Sequence, residues 1–371
     1  MKVGFDFHTD TALFQGVKTY ISNIANSLAV VDPSNEYILF NANYGAISGP
    51  TNFPNLIRRR MFTNSGKVNL LGGFSMEARK NRLDLFHCNY IKPLFMPCKT
   101  VVTIHDVLQE VMPEFFPPHH RLLQKFLIPI LSRHASAIIT VSNYTKGVLI
   151  DRFSFNPENI FVTYEAASPI FHMPHEGGKD MAKKYGLTGD YVLFVGRLAP
   201  IKNIPFMLRT FSVAKSKSDK SLKFVLVGQR DPLFKESEIS DLLGRLNLHG
   251  SVVFLSGISM QELADLYNNA IAFLFISQGE GFGLPILEAM ACGTPVLTSN
   301  TTACDEIAGQ AALKVDPNSL EESVDALHRL LENETLRSEL SRKGLARAKE
   351  FSWNRCAKET LCVYERCMQG D

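Results

Sequence analysis

Residues 271–288 read Ile-Ala-Phe-Leu-Phe-Ile-Ser-Gln-Gly-Glu-Gly-Phe-Gly-Leu-Pro-Ile-Leu-Glu. Ile271–Ile276 is a short, unbroken apolar run rich in aromatic residues. Such a run predicts a strand buried on both faces. Small residues follow, and Pro285 suits the first turn of a helix reaching about Cys292. A doubly buried strand leading straight into a helix is the repeating unit of a parallel, helix-covered sheet.

The same alternation extends in both directions. Toward the C-terminus, Pro295–Thr298 and Ala312–Val315 read as strands. Toward the N-terminus, Tyr191–Val195, Lys223–Val227 and Val252–Leu255 do so. Gly196, Gly228, Gly257 and Ser277 close several of them, and small residues at strand ends let a ligand approach the backbone. Before Ser168–Gly189, a stretch with Pro169, Pro174, Gly177, Gly178 and Gly186 that fits a linker and a short helix, a first half repeats the pattern. Its predicted strands are Val3–Phe7, Tyr37–Asn41, Leu85–His87, Thr100–Ile104, Ala137–Val141 and Ile160–Tyr164. Val17, Tyr20, Ile21, Ile24, Ala25 and Leu28 give a first helix over Val17–Val30. Helices over Leu320–Glu332, Thr335–Lys349 and Trp353–Met368 end the chain, the last with an apolar side that could pack back on the first half.

Composition agrees with two α/β domains. The chain has 371 residues, 45% hydrophobic and 20% charged, which excludes a disordered protein and a disulfide-stapled mini-fold. A net charge of +2 gives no general argument for nucleic acid. The seven cysteines show no CxxC pair and no zinc spacing, and most lie in apolar runs. Reduced core thiols are expected. MKVGFDF lacks a signal-peptide apolar region, and Ala270–Ile276 is far shorter than the ~20 residues of a membrane span. A cytoplasmic protein is the expectation, with contact at the inner membrane face open to it.

Chemistry concentrates at predicted strand ends. Gly196-Arg197-Leu198-Ala199-Pro200-Ile201-Lys202-Asn203 follows Tyr191–Val195. Arg197 and Lys202 suit a diphosphate, and Asn203 is placed to cap the next helix; a charged surface loop would account for them equally. In Glu280–Glu288, Gly281 and Gly283 let backbone N–H groups face an anion at the start of a helix. Glu280 precedes the turn and Glu288 lies a turn inside the helix. Carboxylates beside phosphate make sense when aimed at sugar hydroxyls, and one within an apolar helix needs a partner. His105-Asp106 follows Thr100–Ile104; a histidine there can donate to a hydroxyl, stabilise charge, or serve only its own loop. Ser142, Asn143 and Thr145 offer polar contacts, or Ser142 caps a helix. Gly16, after Gln15, opens the first helix, as a ligand-facing glycine or a plain turn. Neither GxGxxG after the first strand nor GxxxxGK[ST] occurs.

In combination and order, these residues resemble glycosyltransferase family four, retaining enzymes of GT-B fold. The matching elements are Gly16, His105-Asp106, Val141-Ser142, Gly196-Arg197-Leu198 with Lys202-Asn203, Val252-Phe254-Gly257 before Glu262-Leu263, and Glu280 and Glu288 around Gly281-Phe282-Gly283-Leu284-Pro285. The resemblance covers nearly the whole chain. It implies two doubly wound Rossmann-like domains facing a central cleft. Residues 1–170 would bind acceptor, with the helix at 353–371 returning to them, and residues 171–352 would bind a nucleotide-diphospho-sugar donor.

The resemblance also implies roles. Arg197 and Lys202 would neutralise the donor diphosphate and stabilise the leaving group. Glu288 would hold the ribose, Glu280 would sit against the transferred sugar, and amides of Gly281, Phe282, Gly283 and Leu284 would complete the contacts. Gly257 and Ile258 would face the base, Gly16 the phosphates and His105 the sugar. The chain lacks a DxD triplet, so no metal and no other cofactor is implied. Likeness to polysaccharide mannosyltransferases points to mannose from GDP-mannose, passed to a growing surface glycan such as O-antigen or lipopolysaccharide, or to a lipid-linked acceptor. UDP-glucose, UDP-galactose and UDP-N-acetylglucosamine fit as donors too. A nucleotide-sugar epimerase of the same fold and a non-catalytic nucleotide-sugar-binding module are the alternatives. Two departures stand out: Gln15 where many members have glycine, and Glu165-Ala166-Ala167-Ser168 where many read Pro-Asn-Gly-Val.

On the acceptor side, Asn55–Arg82 carries Arg58, Arg59, Arg60, Lys67, Arg79, Lys80 and Arg82 against Glu77 alone, a local net of +6. Phe115-Phe116-Pro117-Pro118 then leads into Leu122, Leu123, Phe126, Leu127, Ile130 and Leu131 among Arg121, Lys125 and Arg133. Basic and apolar residues so mixed suit an anionic bilayer or a lipid-diphosphate acceptor, or else a basic loop and a core helix.

Overall fold

The computed structural model describes residues 1–7, 15–41, 53–61, 63, 65–173, 184–187, 189–218 and 221–369, without the side chains of 15 and 119–124. The linker positions Pro174, Gly177 and Gly178 and the side chains of Gln15, Arg121, Leu122 and Leu123 lie outside that description. Two compact units emerge: Met1–Ala166 with Phe351–Asp371, and Ala167–Glu350.

The first unit is built on a seven-stranded sheet in the order β3-β2-β1-β4-β5-β6-β7. Its strands are β1 (Lys2–Asp6), β2 (Glu36–Asn41), β3 (Leu56–Arg60), β4 (Leu85–Asn89), β5 (Lys99–Ile104), β6 (Ala137–Thr140) and β7 (Ile160–Val162). All pair in parallel; Val3, for instance, lies between Tyr37 and Leu85. Strands β4 and β6 are buried at every position, as a sheet covered on both faces demands. Phe40, Phe74, Phe86, Val102, Ile104, Ile128 and Ile138 share one core cluster. Each such side chain contributes about 1.5–3 kcal/mol by leaving water.

The expected return of the tail to the first half is observed. The Trp353–Gln369 helix packs on the Gln15–Val31 helix. Trp353 meets Tyr20 with ring centroids 6.1 Å apart. The buried Tyr364 hydroxyl lies 2.6 Å from Nδ1 of His87, whose Nε2 lies 2.6 Å from Oγ1 of Thr103.

One strand was not expected. Leu56–Arg60 forms the sheet edge beside β2, which corrects the reading of Arg58, Arg59 and Arg60 as part of a basic loop. An edge strand needs only a few apolar residues, here Leu56 and Ile57, and edge charges block further pairing. Arg58 is partly buried, and burial lowers its pKa.

The second unit has six parallel strands in the order β10-β9-β8-β11-β12-β13. They are β8 (Tyr191–Val195), β9 (Lys223–Val227), β10 (Val252–Leu255), β11 (Ala272–Phe275), β12 (Val296–Ser299) and β13 (Leu313–Val315). Chain direction across the sheet reverses between β8 and β11, and in the first unit between β1 and β4. In open α/β sheets the crevice at such a switch, beyond the carboxyl ends of the strands, is where ligands bind.

Candidate active site

The loops after β8 and β11 flank the switch point of the second sheet, and they carry most of the second-half residues singled out by sequence. The loop after β8 is stitched to its neighbour. Gly196 N donates to Val227 O at 2.9 Å, Leu198 N to Gln229 O at 2.8 Å, and Asp231 N to Leu198 O at 3.1 Å. The two loops touch backbone to backbone, and a Cβ on Gly228 would stand 1.8 Å from the carbonyl oxygen of Gly196. Only glycine fits there. The register places Arg197 beside Asp231, with Nη2 2.8 Å from Oδ2.

Lys202 closes the next turn. Its ammonium pairs with Oε1 of Glu280 from the loop after β11, and both side chains are largely buried. It also stands 5.5 Å from the ring centroid of Phe275. Backbone contacts hold the two loops in place: Gln278 N donates to Ile201 O at 2.9 Å, and Ser277 Oγ lies 3.1 Å from the carbonyls of Ile201 and Gly279. Glu280 N donates to Oγ1 of Thr302 at 3.2 Å. Asn203 adopts the left-handed conformation ahead of the Ile204–Ser216 helix, with φ 61°, and makes no side-chain cap. Its Nδ2 donates instead to Pro317 O at 3.0 Å, which corrects the expected capping role.

Gly283 turns the chain into the Leu284–Ala291 helix at φ 96°, a conformation that a side chain would strain. Gly281, Phe282, Gly283 and Leu284 therefore lead into the first turn of that helix, whose amides point back toward the loop. One turn on, the buried Glu288 accepts a hydrogen bond from the Tyr267 hydroxyl at 2.9 Å. Burial, and then the Glu288 carboxylate, push the Tyr267 phenol well above its usual range, so it stays a donor. Gly257, at φ 68°, and Ile258 follow β10 and are not buried. Arg197, Lys202, Asp231, Glu280 and Glu288 form a mixed-charge set. Both cations are engaged by carboxylates, Arg197 by Asp231 and Lys202 by Glu280.

The first-half candidates lie in the other unit. Gly16 sits exposed in the first turn of the Gln15–Val31 helix, and a Cβ there would meet no described atom within 4 Å. His105 is buried just beyond β5. Its Nε2 lies 2.9 Å from Oδ1 of Asn89 and its Nδ1 3.3 Å from Oε1 of Glu165. Asp106 accepts from Tyr90 at 2.9 Å and from Leu108 N at 3.2 Å. Ser142 takes the capping role, accepting from Thr145 N at 3.1 Å. Asp231, Tyr267, Asn89 and Thr302 were missed. Their partners arrive from distant segments, and only Asp231, shortly after the strand-ending Gly228, stood where a signal could be sought.

Among the described residues, no helix is long and apolar enough to cross a membrane. No group of three His, Cys, Asp or Glu among them could hold a metal ion.

Two family models match this chain: Glycosyltransferase Family 4 over residues 15–167, and Glycosyl transferases group 1 over residues 180–347. The chain is 31% identical over 271 residues to O-antigen chain mannosyltransferase B of Escherichia coli, covering 72% of this chain and 70% of that protein. It is 25% identical over 284 residues to serotype-specific mannosyltransferase WbdA of Escherichia coli, covering 74% of this chain but only 34% of that longer protein. Sucrose-phosphate synthase from Thermosynechococcus elongatus shares the fold at a TM-score of 0.82 and 19% identity, over 100% of both chains.

Proposed function

The chain belongs to the family-four glycosyltransferases of GT-B fold, and from that premise we propose that it transfers mannose from GDP-mannose, with retention, to a growing O-antigen-type glycan. The observation that carries this reading is the placement of Arg197, Lys202, Glu280 and Glu288 around the β8/β11 switch point. The likeness to an O-antigen mannosyltransferase supports the sugar and acceptor class.

The proposed roles follow from residue chemistry. Cleavage of the donor leaves negative charge on a diphosphate. Arg197 offers it a planar fork and Lys202 a point charge, and the amides at Gly281–Leu284 add fixed dipoles. Once Lys202 turns to phosphate, Glu280 is free to accept from a hydroxyl of the transferred sugar. Glu288, held by Tyr267, accepts from the ribose hydroxyls. Gly257 and Ile258 border the base. The acceptor attacks from the face the diphosphate leaves, and the departing phosphate takes its proton. The two cations supply the positive charge that a metal would bring, so the proposed reaction is metal-independent.

We also propose that the first unit rests on an anionic bilayer. Leu71, Met76 and Phe95 are 62%, 66% and 77% exposed. Leu94 N donates to Leu70 O at 3.0 Å and Ser75 Oγ to Leu94 O at 2.5 Å, which holds the chain segments that carry these side chains together. Lys67, Arg79 and Lys80 belong to the same helical segment. Apolar tips with nearby basic residues fit a lipid headgroup boundary.

The test of transfer is direct. The protein is given GDP-mannose, UDP-glucose, UDP-galactose or UDP-N-acetylglucosamine with a lipid-linked mannan primer, with and without a chelator. Elongation from GDP-mannose alone, with an α-linked product and no effect of the chelator, is expected. Elongation from a UDP-sugar would overturn the donor. Change in the donor without acceptor would favour an epimerase, and nucleotide binding without turnover a binding module.

A further inference from the structure

Three hydroxyls in and just after β12 hold β11 and the loop that carries Glu280. Thr298 Oγ1 donates to Phe275 O at 2.9 Å, and Ser299 Oγ donates to Ser277 O at 2.5 Å. Beyond the strand, Thr302 Oγ1 accepts from Glu280 N at 3.2 Å, and Ala303 N donates to Glu280 O at 3.4 Å. Two consecutive residues thereby engage both backbone polar groups of Glu280.

The third hydroxyl comes from a strained backbone. Thr302 opens the Thr302–Ala308 helix at φ 57°. A β-branched residue is an outlier in this left-handed region, because its Cβ crowds the following carbonyl oxygen. Such strain persists only where the surroundings fix it, and it gathers at functional sites. The two bonds to Glu280 are contacts that fix it.

We infer that Thr302 is a positioning residue for Glu280: its left-handed backbone presents the hydroxyl that clamps the Glu280 peptide and so sets where the carboxylate stands. Glu280 needs such a clamp, because it lies between Gly279 and Gly281 and no adjacent side chain buttresses it. Its carboxylate pairs with Lys202. In the reaction proposed above, on whose reading of Glu280 this role rests, Lys202 turns to phosphate. The clamped backbone is then what aims the carboxylate at the sugar. Misplacing a group aimed at a reacting centre slows the chemical step more than it weakens binding.

Three substitutions in the full chain test the clamp. Thr302→Val keeps the branched shape and removes the acceptor. Thr302→Ser keeps the acceptor. Thr302→Gly removes the hydroxyl and also releases the left-handed strain, so its fold carries less burden than that of Thr302→Val. Hydrogen exchange without substrate reads the clamp directly. The Glu280 amide is expected to exchange roughly tenfold faster in the Val and Gly variants and at the wild-type rate in Thr302→Ser. In the same two variants kcat for transfer falls roughly tenfold while KM for the donor and GDP affinity hold, and Thr302→Ser restores kcat. In a Glu280→Ala background, Thr302→Val costs no further kcat, since the two residues act as one unit. Unaltered exchange at Glu280 in both the Val and Gly variants overturns the clamp. Faster exchange with wild-type kcat, or a further loss of kcat in the Glu280→Ala background, overturns the positioning role. Absence of transfer by the wild type, or full activity of Glu280→Ala, counts against the reading of the site and not against the clamp, because exchange needs no substrate.

Discussion

The hydroxyl of Tyr267 donates to Oε2 of Glu288 across 2.9 Å, joining two buried side chains 21 residues apart. Tyr267 is itself wedged between the rings of Phe171 and Phe273, at centroid distances of 5.7 and 5.4 Å. The carboxylate proposed to hold the ribose is thus oriented by a buried hydroxyl donor. Tyr267→Phe keeps the packing and removes one buried hydrogen bond, at a cost of about 1–3 kcal/mol. A lower melting temperature and weaker GDP binding are expected by thermal shift and calorimetry. Equal GDP affinity in the variant would separate Glu288 from nucleotide binding.

Glu280 and Lys202 form an ion pair across the two loops. In Glu280→Ala, Lys202 loses its carboxylate but keeps the charge proposed to meet the phosphate. Transfer should drop by about two orders of magnitude or more, the scale on which a group aimed at the reacting centre acts, while GDP binding stays close to wild type. Parallel kinetics and calorimetry read the two effects. Full activity in this variant would remove Glu280 from the site.

Gly228 is fixed by space. Any Cβ there meets the Gly196 carbonyl at 1.8 Å, and the displaced loop carries Arg197. Gly228→Ala is expected to cost about 3 kcal/mol or more, at the upper end for overpacking, and to weaken diphosphate binding. Denaturant unfolding with pyrophosphate titration would show it; wild-type stability would mean that the two loops can part freely.

His87 gives the first unit an acid-labile tie. Burial, with the nearby His105, lowers its pKa from 6.5 to about 3. A histidine depressed in the folded state stays neutral while the unfolded chain protonates. Its contribution is therefore full above about pH 6.5 and declines as pH falls toward 3. The loss is on the order of a few kcal/mol. Melting curves across this window should fall more steeply for the wild type than for His87→Gln. Parallel slopes would show that His87 does not set the acid limit.

The patch of Leu71, Met76 and Phe95 predicts membrane retention. Phe95→Ser with Lys67, Arg79 and Lys80 reversed to Glu should release the protein from anionic liposomes but leave its melting temperature within a degree or two, because these side chains are exposed. Reversal of Arg59 and Arg60, also exposed on edge strand β3, is expected to weaken sedimentation further. Unaltered co-sedimentation of the multiple variant would end this reading.

Most of the second sheet was legible from short apolar runs. Tyr191–Val195, Lys223–Val227 and Val252–Leu255 are strands with the bounds that their patterning sets. Leu56–Arg60 was not, because three arginines mask an edge strand with few apolar residues. Glu280 and Glu288 could be found because loop, turn and helix are contiguous, so spacing alone brings both carboxylates to one helix start. The Arg197–Asp231 and Tyr267–Glu288 pairs could not be read in advance. Each depends on which strands or helices become neighbours, and a single sequence carries no such register. Asn203 sat at a helix start as expected, yet its left-handed backbone turned the side chain away from the amides it was to cap.

The first unit is interrupted in sequence: it opens at Met1 and closes only with Phe351–Asp371. During synthesis it therefore begins to emerge before the second unit and is finished after it. While residues 167–350 are translated, Tyr20 and His87 await the helix that brings Trp353 and Tyr364. The second unit, contiguous in sequence, can close in the meantime, since domains fold as units as they emerge. A chain stopped short of Phe351 would pair a completed second unit with a first unit whose aromatic interior lies open, a product marked for aggregation or proteolysis.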